Sequence, residues 1–249
     1  MSGHSKWATT KHRKGAKDSA RAKVFAKLIR QVEVAAREGG GDPAANAALR
    51  TMFQKAREAS VPLDTIERAI KRGTGELDGV RYEAISYEGY GPAGVAVIVE
   101  TLSDNRNRTS AEIKHLFAKN GGTIAEPGAV AWQFDRKGVV EVAGPLDEDQ
   151  LLEWVMEAGA ENYVASGADF TVTTEPHDVA AVRDQLEQHG LRVRSADLTL
   201  VAQNTVAITS EGEARRVLRL MDAIDDHDDV QSVYANFDIA DEILAEYEG

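Results

Sequence analysis

The chain contains no cysteine. That excludes disulfides, thiolate metal sites and a cysteine nucleophile, and it suits a reducing cytoplasm. Long apolar runs are missing too. The longest, Gly94 to Val99, falls far short of the ~18 residues that span a bilayer, and it reads as a buried strand. Met1 to Arg21 has no apolar stretch, so it does not read as a secretory signal and no membrane contact is expected. Enzyme signatures are equally scarce. There is no phosphate-loop lysine motif and no GxSxG, and the 6 histidines include no HxxxH or HExxH pair for zinc. Gly89-Tyr-Gly-Pro-Ala-Gly94 matches GxGxxG literally, but a dinucleotide fingerprint must open a helix. Here a strand-like Val95-Ala-Val-Ile-Val follows, so a hairpin loop is expected. No cofactor, no metal and no catalytic residue is assigned.

What the chain does have is a lopsided charge. Its net of −12 conceals residues 1–37 with ten Lys/Arg against two acids, and residues 81–249 with 13 Lys/Arg against 32 Asp/Glu. A basic head on an acidic body suits a localised contact with a polyanion. The run Asp225-Asp-His-Asp-Asp229 lacks the glycine and distal glutamate of a calcium loop, and is expected to be a solvated turn.

Periodicity divides the 249 residues further. Residues 1–18 have no apolar repeat and read as an arm. Ser19–Arg37 reads as a helix, with Val24, Leu28, Val32 and Ala36 on one face and Lys23, Lys27, Arg30 and Arg37 opposite. Asp42-Pro43 predicts the start of a second helix that buries Leu49, Met52, Phe53 and Ala56. Pro62 opens a third with Leu63, Ile66 and Ile70 inside, closed by Gly73. Beyond a glycine-rich linker the pattern alternates. Strands are expected at Tyr82–Tyr87, Val95–Thr101 and Val130–Phe134, with a helix over Thr109–Lys119 that Thr109 and Glu112 cap. A compact βαββαβ run covers Val139 to Leu200. Strand Thr205–Ile208, helix Glu211–Ile224, strand Val230–Ala235 and a short helix Ile239–Tyr247 follow. The fold class is therefore α+β: a three-helix domain followed by two ferredoxin-like domains, one inserted in the other. The expected boundaries are 1–78 for the helical domain, 79–136 plus 199–249 for the split domain, and 137–198 for the insert.

Two segments carry candidate binding chemistry. In the head, His4, Lys6, Trp7, Lys11, His12, Arg13, Lys14, Lys17, Arg21, Lys23, Lys27 and Arg30 can neutralise phosphates. Trp7 lies in a segment with no core of its own. It either stacks on an unpaired base or folds back as an anchor on the helices. In Ser103-Asp-Asn-Arg-Asn-Arg-Thr109, Arg106 and Arg108 meet an expected helix N-terminus, which favours an anion. The alternative is local pairing with Asp104 or Glu112, with the Asn side chains capping the helix.

Several unusual strings then converge: Gly3-His-Ser-Lys-Trp7, Lys11-His-Arg-Lys14, Gly39-Gly-Gly-Asp-Pro43, Ile66-Glu-Arg-Ala-Ile-Lys-Arg-Gly-Thr-Gly75, Tyr87-Glu-Gly-Tyr-Gly-Pro92 and Asp104-Asn-Arg-Asn-Arg-Thr109. Together they closely resemble the YebC/PmpR family, which includes mitochondrial translational activators. The likeness runs along the whole chain. At Thr9-Thr10 the sequence departs from the family's usual Asn-Ile. The resemblance implies a three-domain protein without enzymatic activity, and one of two roles. One is a ribosome-associated factor that contacts RNA and helps translation through difficult stretches such as proline runs. The other is a DNA-binding transcriptional regulator. The charge distribution favours ribosomal RNA and the ribosome as partners, with DNA as the alternative, in the cytoplasm.

Overall fold

The structure, a computed structural model, describes residues 18–144, 148–166, 169–240 and 243. The expected arm and the greater part of the expected C-terminal helix lie outside them. Helix α1 (Asp18–Gly39) buries Val32, Ala35 and Ala36 against α2 (Ala47–Glu58) and α3 (Leu63–Thr74). Val24, expected on the buried stripe, is exposed.

The start of α2 corrects the sequence reading. Asp42 does not cap it: its carboxylate accepts from the Ala44 N–H, and its carbonyl accepts from Asn46. Asn46 is the cap, accepting from the Leu49 N–H, while its Nδ2 donates to the carbonyls of Ala35 and Gly40. One buried amide thus fastens the start of α2 to the end of α1 and leaves no polar atom stranded.

Helix α3 differs at both ends. Leu63, expected inside, is exposed, whereas Ile66 and Ala69 are fully buried. Gly73 does not close the helix. It lies within it, where a Cβ would come 2.4 Å from the Glu33 carbonyl oxygen, so only glycine lets α1 and α3 approach this closely. The left-handed cap is Gly75, at φ 82°.

The first sheet has the order β3-β1-β2-β9, built from β1 (Glu83–Tyr90), β2 (Ala96–Ser103), β3 (Thr123–Ala125) and β9 (Val230–Ala235), with all neighbours antiparallel. The GxGxxG segment is the β1–β2 hairpin loop, in which a 3₁₀ turn at Pro92–Gly94 leads into a strand. Helices α4 (Arg106–Lys119) and α7 (Glu211–Asp225) cover one face, packing Ile113, Phe117, Leu218 and Met221 on Val95, Val97 and Val99.

The second sheet has the order β5-β6-β4-β7: β4 (Phe134–Val142), β5 (Asn162–Ser166), β6 (Asp169–Thr174) and β7 (Val193–Ala202). Helices α5 (Glu148–Glu157) and α6 (Val179–Gln188) supply Leu151, Val155, Val182 and Leu186 to its core. This is the ferredoxin-like order, with the first and third strands at the centre.

Val130–Phe134 is not a strand. Ala131–Gln133 forms a 3₁₀ turn, Val130 is buried, and Phe134 begins β4. The third strand of the first sheet is Thr123–Ala125 instead. Thr205–Ile208 also goes elsewhere: β8 (Val206–Ile208) pairs in parallel with β10 (Phe237–Ile239), which takes up Ile239, expected in a helix. Strand β1 holds the central place that a ferredoxin-like order would give to β8. Where the two sheets meet, Ala96 and Ile98 pack with Val130 and Phe134. There the buried Asn236 accepts from the Ala96 N–H and donates to Gln133.

Candidate nucleic-acid interface

Residues 23, 27 and 30 are spaced i, i+4, i+7 and lie along one face of α1, with about 10.5 Å of rise between the ends of the row. The structure brings this row against residues 225–229, which run from the last residue of α7 to the start of β9. Lys23 donates to the Asp226 carbonyl, and its ammonium lies 3.4 Å from the Asp226 carboxylate. Lys27 donates to both the carbonyl and the carboxylate of Asp225, each at 3.0 Å. Arg30 donates to the Asp228 carbonyl at 2.6 Å and to the Asp229 carboxylate at 2.9 Å, and its guanidinium stands over the Tyr82 ring. The carbonyls at the end of α7 carry the negative pole of that helix, and the aspartates add charge to it.

Asp229 is the hub. Its side chain is 4% accessible. Besides Arg30 it accepts from Arg108 at 2.7 Å and from the Thr109 hydroxyl at 2.6 Å. Burial pushes its carboxyl upward, but the hydrogen bonds from Thr109 and Arg108 and the charges of Arg108 and Arg30 outweigh it and hold the group below its ordinary value. The Arg108 guanidinium is held above its own ordinary value, chiefly by the bond to Asp229. His227 braces the turn: its Nε2 is 2.8 Å from Glu112, and its Nδ1 accepts from the Asp229 N–H. The expectation of a merely solvated turn is therefore corrected, because these aspartates are counter-charges for the first helix. An open polar cleft of about 530 Å³ lies beside them, lined by Arg30, Tyr82, Asp104, Arg108, Glu112 and residues 226–229.

The second candidate segment is also paired within the chain. Arg106 bonds Glu83, both exposed, and Arg108 bonds Asp104 as well as Asp229 and lies 3.9 Å from Glu112. Asn105, not Thr109, caps α4, accepting from the Arg108 N–H. Thr109 is fully buried and spends its hydroxyl on Asp229. Of the head residues, Arg21 stands over Phe25 at 5.3 Å. His4, Lys6, Trp7, Lys11, His12, Arg13, Lys14 and Lys17 lie outside the described residues.

One exposed aromatic escaped the sequence reading. Trp132 is 67% accessible, and its indole N–H and the Tyr90 hydroxyl both donate to the Ala129 carbonyl. The Glu88 carboxylate holds the loop beneath by accepting the N–H groups of Gly128, Val130 and Ala131. The signal was Pro127-Gly128, a loop marker just ahead of the strand expected at Val130–Phe134.

Comparison with known proteins places this architecture. A probable transcriptional regulatory protein of Halothermothrix orenii is 53% identical over 249 residues, covering 99% of this chain and 98% of the relative. One of Rubrobacter xylanophilus is 53% identical over 251 residues, covering all of both. The crystal structure of a conserved hypothetical protein from Aquifex aeolicus superposes with a TM-score of 0.82 at 43% identity, covering 91% of this chain and 94% of that one. Residues 5–76 match the TACO1/YebC protein N-terminal domain, and residues 82–237 match the TACO1/YebC second and third domain. The chain belongs to the TACO1/YebC family.

Proposed function

We propose that this chain is a non-enzymatic, nucleic-acid-binding regulator of gene expression that acts in the cytoplasm as a ribosome-associated translation factor. It contacts RNA through its basic N-terminal region and eases translation through difficult stretches such as proline runs. The observation that carries this reading is the docking of α1. A helix that reads a DNA major groove must present base-reading side chains to the bases, whereas cations held on aspartates are suited to exchanging them for phosphates without reading sequence. The basic face of α1 is turned onto Asp225, Asp226 and Asp229 of its own chain. The segment ahead of α1 adds Lys6, Lys11, Arg13, Lys14 and Lys17, with Trp7 among them. An arm of that composition suits crevices of folded RNA, where bases are splayed for stacking. The second reading, a DNA-binding transcriptional regulator, is favoured by the names of the relatives.

The test is ribosome co-sedimentation of the full chain and of a chain lacking residues 2–17, which leaves α1 whole. Truncation should weaken binding and flatten the plot of log affinity against log salt by roughly 0.7 per lost phosphate contact. Trp7→Ala should weaken binding by about 1–3 kcal/mol and leave that slope unchanged. Equal affinity and equal slope for the truncated chain would remove the arm from the contact. Preference for one duplex DNA sequence over ribosomes at physiological salt would establish the second reading.

A further inference from the structure

The contact between α1 and residues 225–229 has the features of an occupied binding site. Three cations in a row of about 10.5 Å would span about three phosphate intervals of one strand at ~3.4 Å axial spacing. Each cation is instead met by an aspartate.

The seat is electrostatic. Among the described residues, the apolar cluster of the helical domain draws only on residues 25–70, with no member from the two sheets. Among the described residues, polar and cationic ties join the helices to the rest: the three aspartate pairs, Arg30 to the Leu102 and Asp228 carbonyls and over Tyr82, Arg37 to the Val80 carbonyl, and Lys55 with Asp197. The helical domain also keeps its own buried ion cluster, in which Glu33 binds Arg37 and Arg72. It can therefore part from the sheets without losing its core.

The seat is graded as well. The Lys23–Asp226 pair is exposed, at 43% and 66%, whereas Asp229 is nearly buried. If Arg30 leaves, Asp229 retains Arg108 and Thr109, so no buried carboxylate is left without a partner.

We infer that residues 225–229 act as a built-in stand-in for nucleic-acid phosphates, closing the basic face of α1 until a polyanion displaces them. This rests on the nucleic-acid reading proposed above and adds a closed and an open state to it. Phosphates that replace the aspartates on Lys23, Lys27 and Arg30 bring like charge against the vacated loop, and the repulsion drives the helical domain away from it. Because the exchange swaps one anion for another, polyanion concentration and salt set its balance.

The absence of cysteine makes a direct test clean. Arg57→Cys and Arg216→Cys place spin labels on exposed positions of α2 and α7 in the full chain. The probe is a 20-nucleotide single-stranded RNA at low salt. Without RNA, electron–electron resonance should give one short distance; RNA should shift it to a longer one. The triple variant Asp225→Asn, Asp226→Asn, Asp228→Asn leaves the Asp229 hub intact. It should show the longer distance without RNA and bind RNA about tenfold tighter, as expected if roughly nine-tenths of molecules are closed. Glu153→Gln, Glu157→Gln, Glu187→Gln, which changes net charge equally on the far domain, should bind within about twofold of the parent chain on the same population argument. RNA bound by the parent with no change in distance, or equal gains from both triple variants, would overturn the closed-state proposal and leave the nucleic-acid reading standing. No RNA binding by any of the three chains would overturn both.

Discussion

Glu33 is a buried acid of the basic helix, and its removal has a calculable cost. Its side chain is 3% accessible and receives Arg37 at 3.2 Å and Arg72 at 2.9 Å. Glu33→Gln keeps the volume but turns an amide NH₂ toward one guanidinium, donor against donor. Hydrogen bonds to charged groups contribute about 1.5–3 kcal/mol each, and breaking a fully buried pair costs about 3–5 kcal/mol. Arg37 and Arg72 are 30% and 31% accessible, so both can turn partly to water. That places the expected loss at about 2–4 kcal/mol. The loss should be local. Hydrogen exchange at the amides of α1 and α3 should report it, while amides of the β4–β7 sheet keep their protection. Arg68→Gln is the internal comparison: it breaks only an exposed pair with Asp64 and should cost about 0–1 kcal/mol. A loss below about 0.5 kcal/mol for Glu33→Gln, or an equal loss in the second sheet, would refute the reasoning.

Glu88→Ala strips three N–H groups of their acceptor and should lower stability by about 1–3 kcal/mol in urea titrations, since part of that loop can rehydrate. Acid should act through the depressed carboxyls. Asp229 and Glu88 lie below their ordinary 3.8 and 4.5, so their contribution is complete above those values and is lost as pH falls through the lower folded values. Melting temperature should hold from neutral pH downward and then fall below about pH 4.5, and Asp229→Asn should shrink that fall. Arg108→Gln should lower the melting temperature more than Arg106→Gln, because Arg108 serves a nearly buried carboxylate and Arg106 an exposed one; the reverse order would make Arg106 the structural residue.

Local pattern made much of the fold legible. The spacing of Val32 and Ala36 revealed the buried face of α1, and the strand at Val230–Ala235 falls where alternation placed it. Failures came where two local signals compete or where the deciding partner is remote. Asp42-Pro43 looks like a helix start, yet Asn46 caps because only it reaches Ala35 and Gly40 across the helix pair. Val130 to Phe134 is apolar enough for a strand, but the N–H groups of Val130 and Ala131 donate to Glu88 and wrap its start into a turn. The charge asymmetry was visible; the pairing of Lys27 with Asp225 was not, because nothing in either segment's periodicity refers to the other. The same holds for Arg108 and Asp229, which a reading of the helix start alone assigned to an external anion or to near neighbours.

The strand order also bears on how the chain folds as it is made. Every strand of the second sheet falls within residues 134–202, so that sheet can close soon after its last strand emerges from the ribosome. The first sheet cannot. One edge of β2 must wait for β9, which pairs Val97 with Ala235 and Ile98 with Tyr234 across the whole insert. Until then a run of Val97, Ile98 and Val99 has an unsatisfied backbone edge, the kind of template on which nascent chains join one another. Long-range pairing of this sort is slow to form. Substitutions that delay β9 should therefore lower soluble yield before they lower the stability of the finished protein.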